Sequence, residues 1–217
     1  MFFHQHPYEP FILPDSTKLI VGTLPPPRFS TGQLLDKDVD FCYGSYYNSL
    51  WLYIDKIHDL NLRYDNSQEA IDERKQFLIR HKIGVCDIVE SCERDKINAS
   101  DLGMRNIQLR DVIDYLKTFE KVDTLLFTGG NSKNGPEYFF RKHLKDYGLK
   151  LELVSKDTPK IHQFQLNSRD IKTVSLTSAS GSANISIGSN SEYKRLKSEN
   201  PGYTTFDFRL RQYKQFL

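Results

Sequence analysis

The stretch Leu19-Ile20-Val21-Gly22-Thr23-Leu24-Pro25-Pro26-Pro27 sets the fold class. A short apolar run covered on both faces suits a strand of a parallel sheet, and three consecutive prolines stop it abruptly because proline cannot donate to a ladder. Three further runs share this character: Ile83 to Val89, Thr124 to Thr128 and Thr173 to Thr177, beside Lys18 to Thr23. Helical patterns lie between them. Asn66 or Ser67 can cap a helix that runs through His81, with Glu69, Asp72 and Glu73 near its start and Arg80, His81 and Lys82 near its end. The spacing of Ile107, Leu109, Val112, Ile113 and Leu116 predicts a helix over Asn106 to Phe119, and another runs from Pro136 to Tyr147, before Gly148. Leu149 to Val154 and Ile161 to Leu166 alternate around Asp157-Thr158-Pro159 and predict a hairpin. Strands alternating with helices predict a three-layer α/β/α fold around a central four-stranded parallel sheet, as one domain over residues 1–217.

Composition excludes several classes. A chain of 217 residues, 38% hydrophobic, can bury a substantial core without metals or disulfides. Three cysteines, Cys42, Cys86 and Cys92, form no close pair, which argues for a reducing compartment and against zinc or iron–sulfur ligation. The six histidines show no metal spacing, so no metal and no other cofactor is expected. No run approaches bilayer-spanning length and the N-terminus lacks a basic segment, so the expectation is a cytoplasmic protein with no membrane partner. The net charge of +2 is compatible with a local basic patch and proves none. Such a patch is expected after Ser189, where Lys194, Arg195, Lys197, Arg209, Arg211 and Lys214 alternate with Tyr193, Tyr203, Phe206, Phe208 and Tyr213, on the same side as the ligand pocket.

In open parallel sheets ligands bind beyond the carboxyl ends of the strands. The polar residues expected there are Thr23, Asp87, Thr128 with Gly129 and Gly130, and Thr177 with Ser178. Within reach in the chain is Tyr43-Gly44-Ser45-Tyr46-Tyr47-Asn48-Ser49-Leu50-Trp51, an aromatic segment with one amide, suited to a flat heterocycle. On residue type alone Asn48 is a turn former or helix cap, Tyr43 and Trp51 are core aromatics, Asp87 caps a turn, and Arg94 and Asp101 form an ion pair. Ser178 and Ser180 lack the sharp elbow of a nucleophile, and Gly129-Gly130 lacks the lysine of a phosphate loop.

Taken in order, these segments resemble the uracil-DNA glycosylase superfamily, nearest in pattern to its mismatch-specific and hypoxanthine-DNA glycosylase branches. The resemblance is carried by Gly22-Thr23-Leu24-Pro25, by Tyr43-Gly44 through Asn48-Ser49-Leu50-Trp51, and by Ile83 to Arg94 with Ser100-Asp101 downstream. Leu125 to Gly130 and Leu176-Thr177-Ser178-Ala179-Ser180-Gly181-Ser182-Ala183-Asn184 complete it. It implies a monomeric, cofactor-free enzyme that extrudes a deaminated base, uracil or hypoxanthine, from DNA and hydrolyses its glycosidic bond to begin base excision repair. It further implies an enzyme associated with the nucleoid during repair. By the same resemblance Gly22 and Thr23 border the base, Tyr43 stacks on it, Asp87 reads it, Asn48 positions water, and Ser178, Ser180 and Asn184 grip DNA. Leu24 and Leu176 depart from the better-known branches, which carry polar groups at those places. The departure motivates an alternative: a glycosylase-like protein that binds nucleic acid or a nucleobase without catalysis.

Overall fold

The computed structural model describes residues 1–98 and 100–217. Its strands are β1 (Phe2–Gln5), β2 (Lys18–Gly22), β3 (Ile83–Asp87), β4 (Val89–Arg94), β5 (Met104–Leu109), β6 (Thr124–Phe127), β7 (Glu152–Ser155), β8 (Lys160–Leu166) and β9 (Arg169–Ser175). Its helices are α1 (Pro27–Ser30), α2 (Leu50–His58), α3 (Gln68–His81), α4 (Val112–Thr118), α5 (Pro136–Asp146), α6 (Asn184–Ser189), α7 (Ser191–Glu199) and α8 (Thr205–Tyr213). Single 3-10 turns span Asp101–Gly103 and Gly181–Ala183.

The main sheet has the order β3-β2-β6-β9-β8-β7. It is six-stranded and mixed, wider than the four-stranded parallel sheet expected. β3, β2, β6 and β9 run parallel, and β8 and β7 extend them antiparallel. The predicted hairpin is part of this sheet: β8 pairs with β7 and bonds along all of β9, from Lys160↔Ser175 to Leu166↔Arg169.

Alternation along the parallel strands divides the core. Ile20, Val85, Leu126 and Val174 face one side, where they meet Leu50, Trp51, Tyr53 and Ile54 of α2, Phe77 and Leu78 of α3, and Tyr213 of α8. Leu19, Val21, Cys86, Leu125 and Phe127 face the other, against Val112, Ile113 and Leu116 of α4 and Phe139, Phe140 and Leu144 of α5. Helices therefore cover both faces. Ser67 caps α3, its hydroxyl accepting from the Ala70 amide at 3.2 Å.

The helix expected over Asn106 to Phe119 is half strand. Ile107 and Leu109 alternate with Asn106, Gln108 and Arg110, and β5 pairs with β4 there. The helix begins only at Val112, where Asp111 accepts from the Asp114 amide at 2.9 Å and caps it. β1, β4 and β5 form a second, three-stranded antiparallel sheet. That sheet brings the N-terminal segment and Asp101 to the mouth of the main sheet.

Candidate active site

A cleft of ≈ 1350 Å³ opens at the carboxyl ends of β2, β3, β6 and β9. It is lined by Gly22, Thr23, Tyr43, Asn48 and Asp87 together with Ser178 and Ser180. Seven of the expected site residues, drawn from four separated segments, thus meet in one place. Leu24 and Leu176 also line it. Asn184 does not: its Oδ1 accepts from Arg209 Nη2 at 2.7 Å and Thr205 Oγ1 at 2.9 Å, which ties it to α8.

Gly22 ends β2 because nothing larger fits. A Cβ there would lie 2.5 Å from Asp87 Oδ1 and 2.7 Å from the Tyr43 hydroxyl. These two atoms close over the glycine from the end of β3 and from the aromatic segment. Both are buried, and among the described residues neither has a hydrogen-bond partner. Burial, and after it the Asp87 charge, push the Tyr43 phenol well above its ordinary value, so it stays protonated. Tyr43 itself sits at φ 59°, a left-handed conformation that is uncommon for a bulky residue and marks strain held by its surroundings. It is only 9% exposed and packs into the α2/α3 core, so its hydroxyl, aimed at Gly22, is its polar contribution to the cleft. The exposed aromatic on the cleft wall is Tyr47, 67% exposed and beside the Arg28 guanidinium at 5.8 Å.

Asp87 is held from behind by a residue that the sequence did not single out. His6 Nδ1 accepts from the Tyr8 amide at 3.1 Å, so the proton of the neutral ring lies on Nε2, which donates to Asp87 Oδ2 at 3.0 Å. His6 and Asp87 are 81 positions apart, and only β1 pairing with β4 brings them together. The expected Arg94–Asp101 ion pair is absent among the described residues. Arg94 is buried and donates instead to His4 Nδ1 at 2.9 Å and to the Ser100 carbonyl at 2.6 Å. Burial, with the Arg94 charge second, lowers His4 to about 4, so it accepts as a neutral ring.

Asn48 lies between two elements. Its Oδ1 accepts from the Leu50 amide at 2.9 Å, a turn of the kind its residue type alone suggested, just ahead of α2, whose N-cap residue is Ser49. Asn48 also bridges antiparallel to Ser180, and the Ser49 amide donates to the Ala179 carbonyl at 2.9 Å. Beyond Asn48 a smaller pocket of ≈ 200 Å³ shares Tyr43, Gly44 and Ser45 with the cleft.

The serine loop is ordered by its own contacts. Ser178 Oγ accepts from the Ser180 amide at 3.2 Å, and Ser180 Oγ bonds Ser182 Oγ at 3.1 Å. Arg209, expected among the DNA-facing cations, is buried and donates to the carbonyls of Ser178 and Ser180. Three more of the cations expected after Ser189 are drawn into local contacts. Arg195 meets Glu199, Arg211 meets Glu192, and Lys197 donates to the carbonyls of Pro201 and Tyr203. The cations that line the cleft are Arg28, Lys133, Arg141 and Lys160. Among the described residues no group of three His, Cys, Asp or Glu side chains is placed to hold a metal ion. Among the described residues no helix is long and apolar enough to cross a membrane.

No protein-family model matches the chain, and no curated protein matches it. A solved structure does. The chain is similar to the solution NMR structure of a Methanosarcina acetivorans protein that carries a provisional assignment as a uracil DNA glycosylase, with a TM-score of 0.54 and 16% identity. The match covers 97% of this chain and 99% of the other. The chain shares the fold of that structure. At that identity the likeness speaks for architecture, and the chemistry rests on the cleft.

Proposed function

We propose that this protein is a DNA glycosylase that hydrolyses the N-glycosidic bond of a deaminated base. The observation that carries the reading is the convergence of Gly22, Thr23, Tyr43, Asn48 and Asp87 with Ser178 and Ser180 on one cleft of this fold. A glycosidic bond breaks through an oxocarbenium-like state. That state needs a held leaving base, negative or dipolar groups near the sugar, and a positioned water.

In this reading Gly22 and Thr23 border the extruded base and Tyr43 packs against it. Asp87 Oδ1, with no partner of its own, accepts from a ring N–H. Asn48 holds water toward C1′ while its Oδ1 keeps the Leu50 amide, since an amide oxygen has two lone pairs. Ser178, Ser180 and the cleft-lining Lys133 and Lys160 meet phosphates. Two observations favour a second reading, a binder of nucleic acid or a nucleobase that does no chemistry. Asn48 Oδ1 is already engaged, and Leu24 and Leu176 place apolar groups at the strand ends.

The deciding experiment offers the protein labelled oligonucleotides that contain uracil, hypoxanthine, xanthine or a thymine mismatch, followed by alkali. Strand breaks at one or more of these bases are the expected outcome. Binding without breaks at any of them moves the assignment to the second reading.

A further inference from the structure

We propose that Tyr46 and Tyr47 form a platform on which unpaired DNA bases stack, so that the protein binds single-stranded DNA more tightly than duplex. The inference goes beyond the glycosylase reading and rests only on that reading's placing of DNA in the cleft.

Among the described residues the exposed Phe, Tyr and Trp side chains are Phe3, Tyr46 and Tyr47, and the two tyrosines stand together at 47% and 67% exposure. Tyr47 lines the large cleft and Tyr46 the smaller pocket, so the pair carries the surface from one cavity to the next. Their backbone is fixed from beneath. Asp38 is fully buried, accepts from the Tyr46 amide at 2.8 Å, and holds the Arg28 guanidinium at 2.6 and 2.9 Å. Arg28 donates on to Ser45 Oγ at 2.8 Å, and Ser45 Oγ accepts from the Tyr47 amide at 3.3 Å. An ion pair with a buried carboxylate thus holds out two open rings, and a preset surface loses little freedom when it binds.

Ring geometry selects unpaired bases. The two centroids lie 5.5 Å apart with their planes at 66°. Successive bases of a duplex lie about 3.4 Å apart along each strand, so neighbouring bases cannot lie one on each tyrosine without leaving the stack. An unpaired strand is free to do so, and every base has a π-face to offer.

The charges around the pair point the same way. Lys37 Nζ lies 5.3 Å from the Tyr46 ring centroid and Arg28 Cζ lies 5.8 Å from that of Tyr47. Against them stand Asp38, already spent on Arg28, and Asp36 and Asp40, which are exposed and close to Lys37 in the chain. A surface with its charges so balanced is no basic groove for phosphates. What it offers a nucleic acid is ring area, and stacking of a base on an exposed tyrosine is tolerant of sequence.

The test is fluorescence anisotropy with three labelled, undamaged ligands of one length: a single strand, a single strand of the same backbone without bases, and the duplex. The whole chain is compared as wild type, as Tyr46→Ala with Tyr47→Ala, and as Tyr46→Phe with Tyr47→Phe. Wild type should bind the base-bearing strand most tightly of the three. The double alanine variant should lose about tenfold or more on that strand and hardly change on the other two ligands. The double phenylalanine variant should keep wild-type affinity, because stacking needs the ring and not the hydroxyl. The alanine loss should also be equal at about 50 and about 200 mM salt, since stacking releases no counterions.

Equal loss on all three ligands, no loss on the base-bearing strand, or a loss that phenylalanine fails to restore overturns the platform. If the alanine variant does not fold, wild type decides: equal affinity for the strands with and without bases overturns it. Excision is measured separately. A protein that shows this binding pattern yet excises no damaged base sinks the glycosylase reading and leaves the platform standing, whereas excision without the pattern does the reverse.

Discussion

The two rims of the cleft are built in opposite ways. On the strand-end rim, Asp87 Oδ1 and the Tyr43 hydroxyl face Gly22 with no partner among the described residues, and Asp101 carries a carboxyl raised to about 6. On the loop rim nearly every polar group has found a neighbour. Asn48 holds Leu50, Ser49 holds Ala179, Ser178 holds Ser180, and Arg209 gathers the carbonyls of Ser178 and Ser180. Unsatisfied buried polar atoms are costly, so a rim that keeps them is arranged for something that arrives. A rim whose groups satisfy one another fixes position. The contrast assigns chemistry to the strand ends and alignment to the loop, with Asn48 as the residue shared by both.

The largest expected effect tests that shared residue. Asn48→Ala should lower single-turnover excision by about 10²-fold or more, the usual loss when a preorganised polar group near a charge-developing transition state is removed. It should also cost about 1 kcal/mol of stability through the lost turn bond to the Leu50 amide. DNA affinity, measured separately, should hardly change. If stability falls while the excision rate holds, Asn48 belongs wholly to the loop rim and the contrast between the rims is sharper than proposed.

A smaller effect probes the strand-end rim from behind. His6→Ala strands Asp87 Oδ2 in a site where Oδ1 is already without a partner. Chemical denaturation should show a loss of about 2 kcal/mol, the desolvation penalty of a buried acceptor that has lost its donor. Removing Asp87 as well should recover part of that loss, because the cost lies in the abandoned partner and not in a missing contact. An unchanged stability in His6→Ala would mean that the rim is not held through this pair.

What could be read in the sequence follows the same division between local and distant causes. β2, α3 and α5 were legible because their signals lie within the element: an apolar run cut by prolines, the Ser67 cap, and Pro136 at a first turn. The rule about strand ends named Thr23, Asp87, Thr128 and Ser178, and these residues line one cleft. The small antiparallel sheet was not legible. Phe2 pairs with Arg94 and β5 shares its apolar residues with a helical pattern, so neither pairing leaves a mark in a short window. His6 was missed for that reason. Arg209 was misplaced for another: charge along a helix does not say which face turns inward, and here the guanidinium is taken up by two loop carbonyls and Asn184.

The smallest expected effect lies on the loop rim. Ser178→Ala with Ser180→Ala should weaken binding to every DNA sequence alike, since phosphate contacts position the duplex and carry no sequence information. The loss should be modest. Both hydroxyls already serve as local acceptors, Ser178 for the Ser180 amide and Ser180 for the Ser182 amide, so each brings only its remaining donor to a phosphate. About 1 kcal/mol in total, roughly fivefold in Kd, is the scale for such bonds. Affinity should also fall with rising salt in wild type and double variant with the same slope, because the released counterions answer to charged contacts, here Lys133 and Lys160, and not to hydroxyls. A double variant that binds normally and changes only which base is removed would move this loop from alignment to base selection. The two rims would then differ in chemistry alone and not in task.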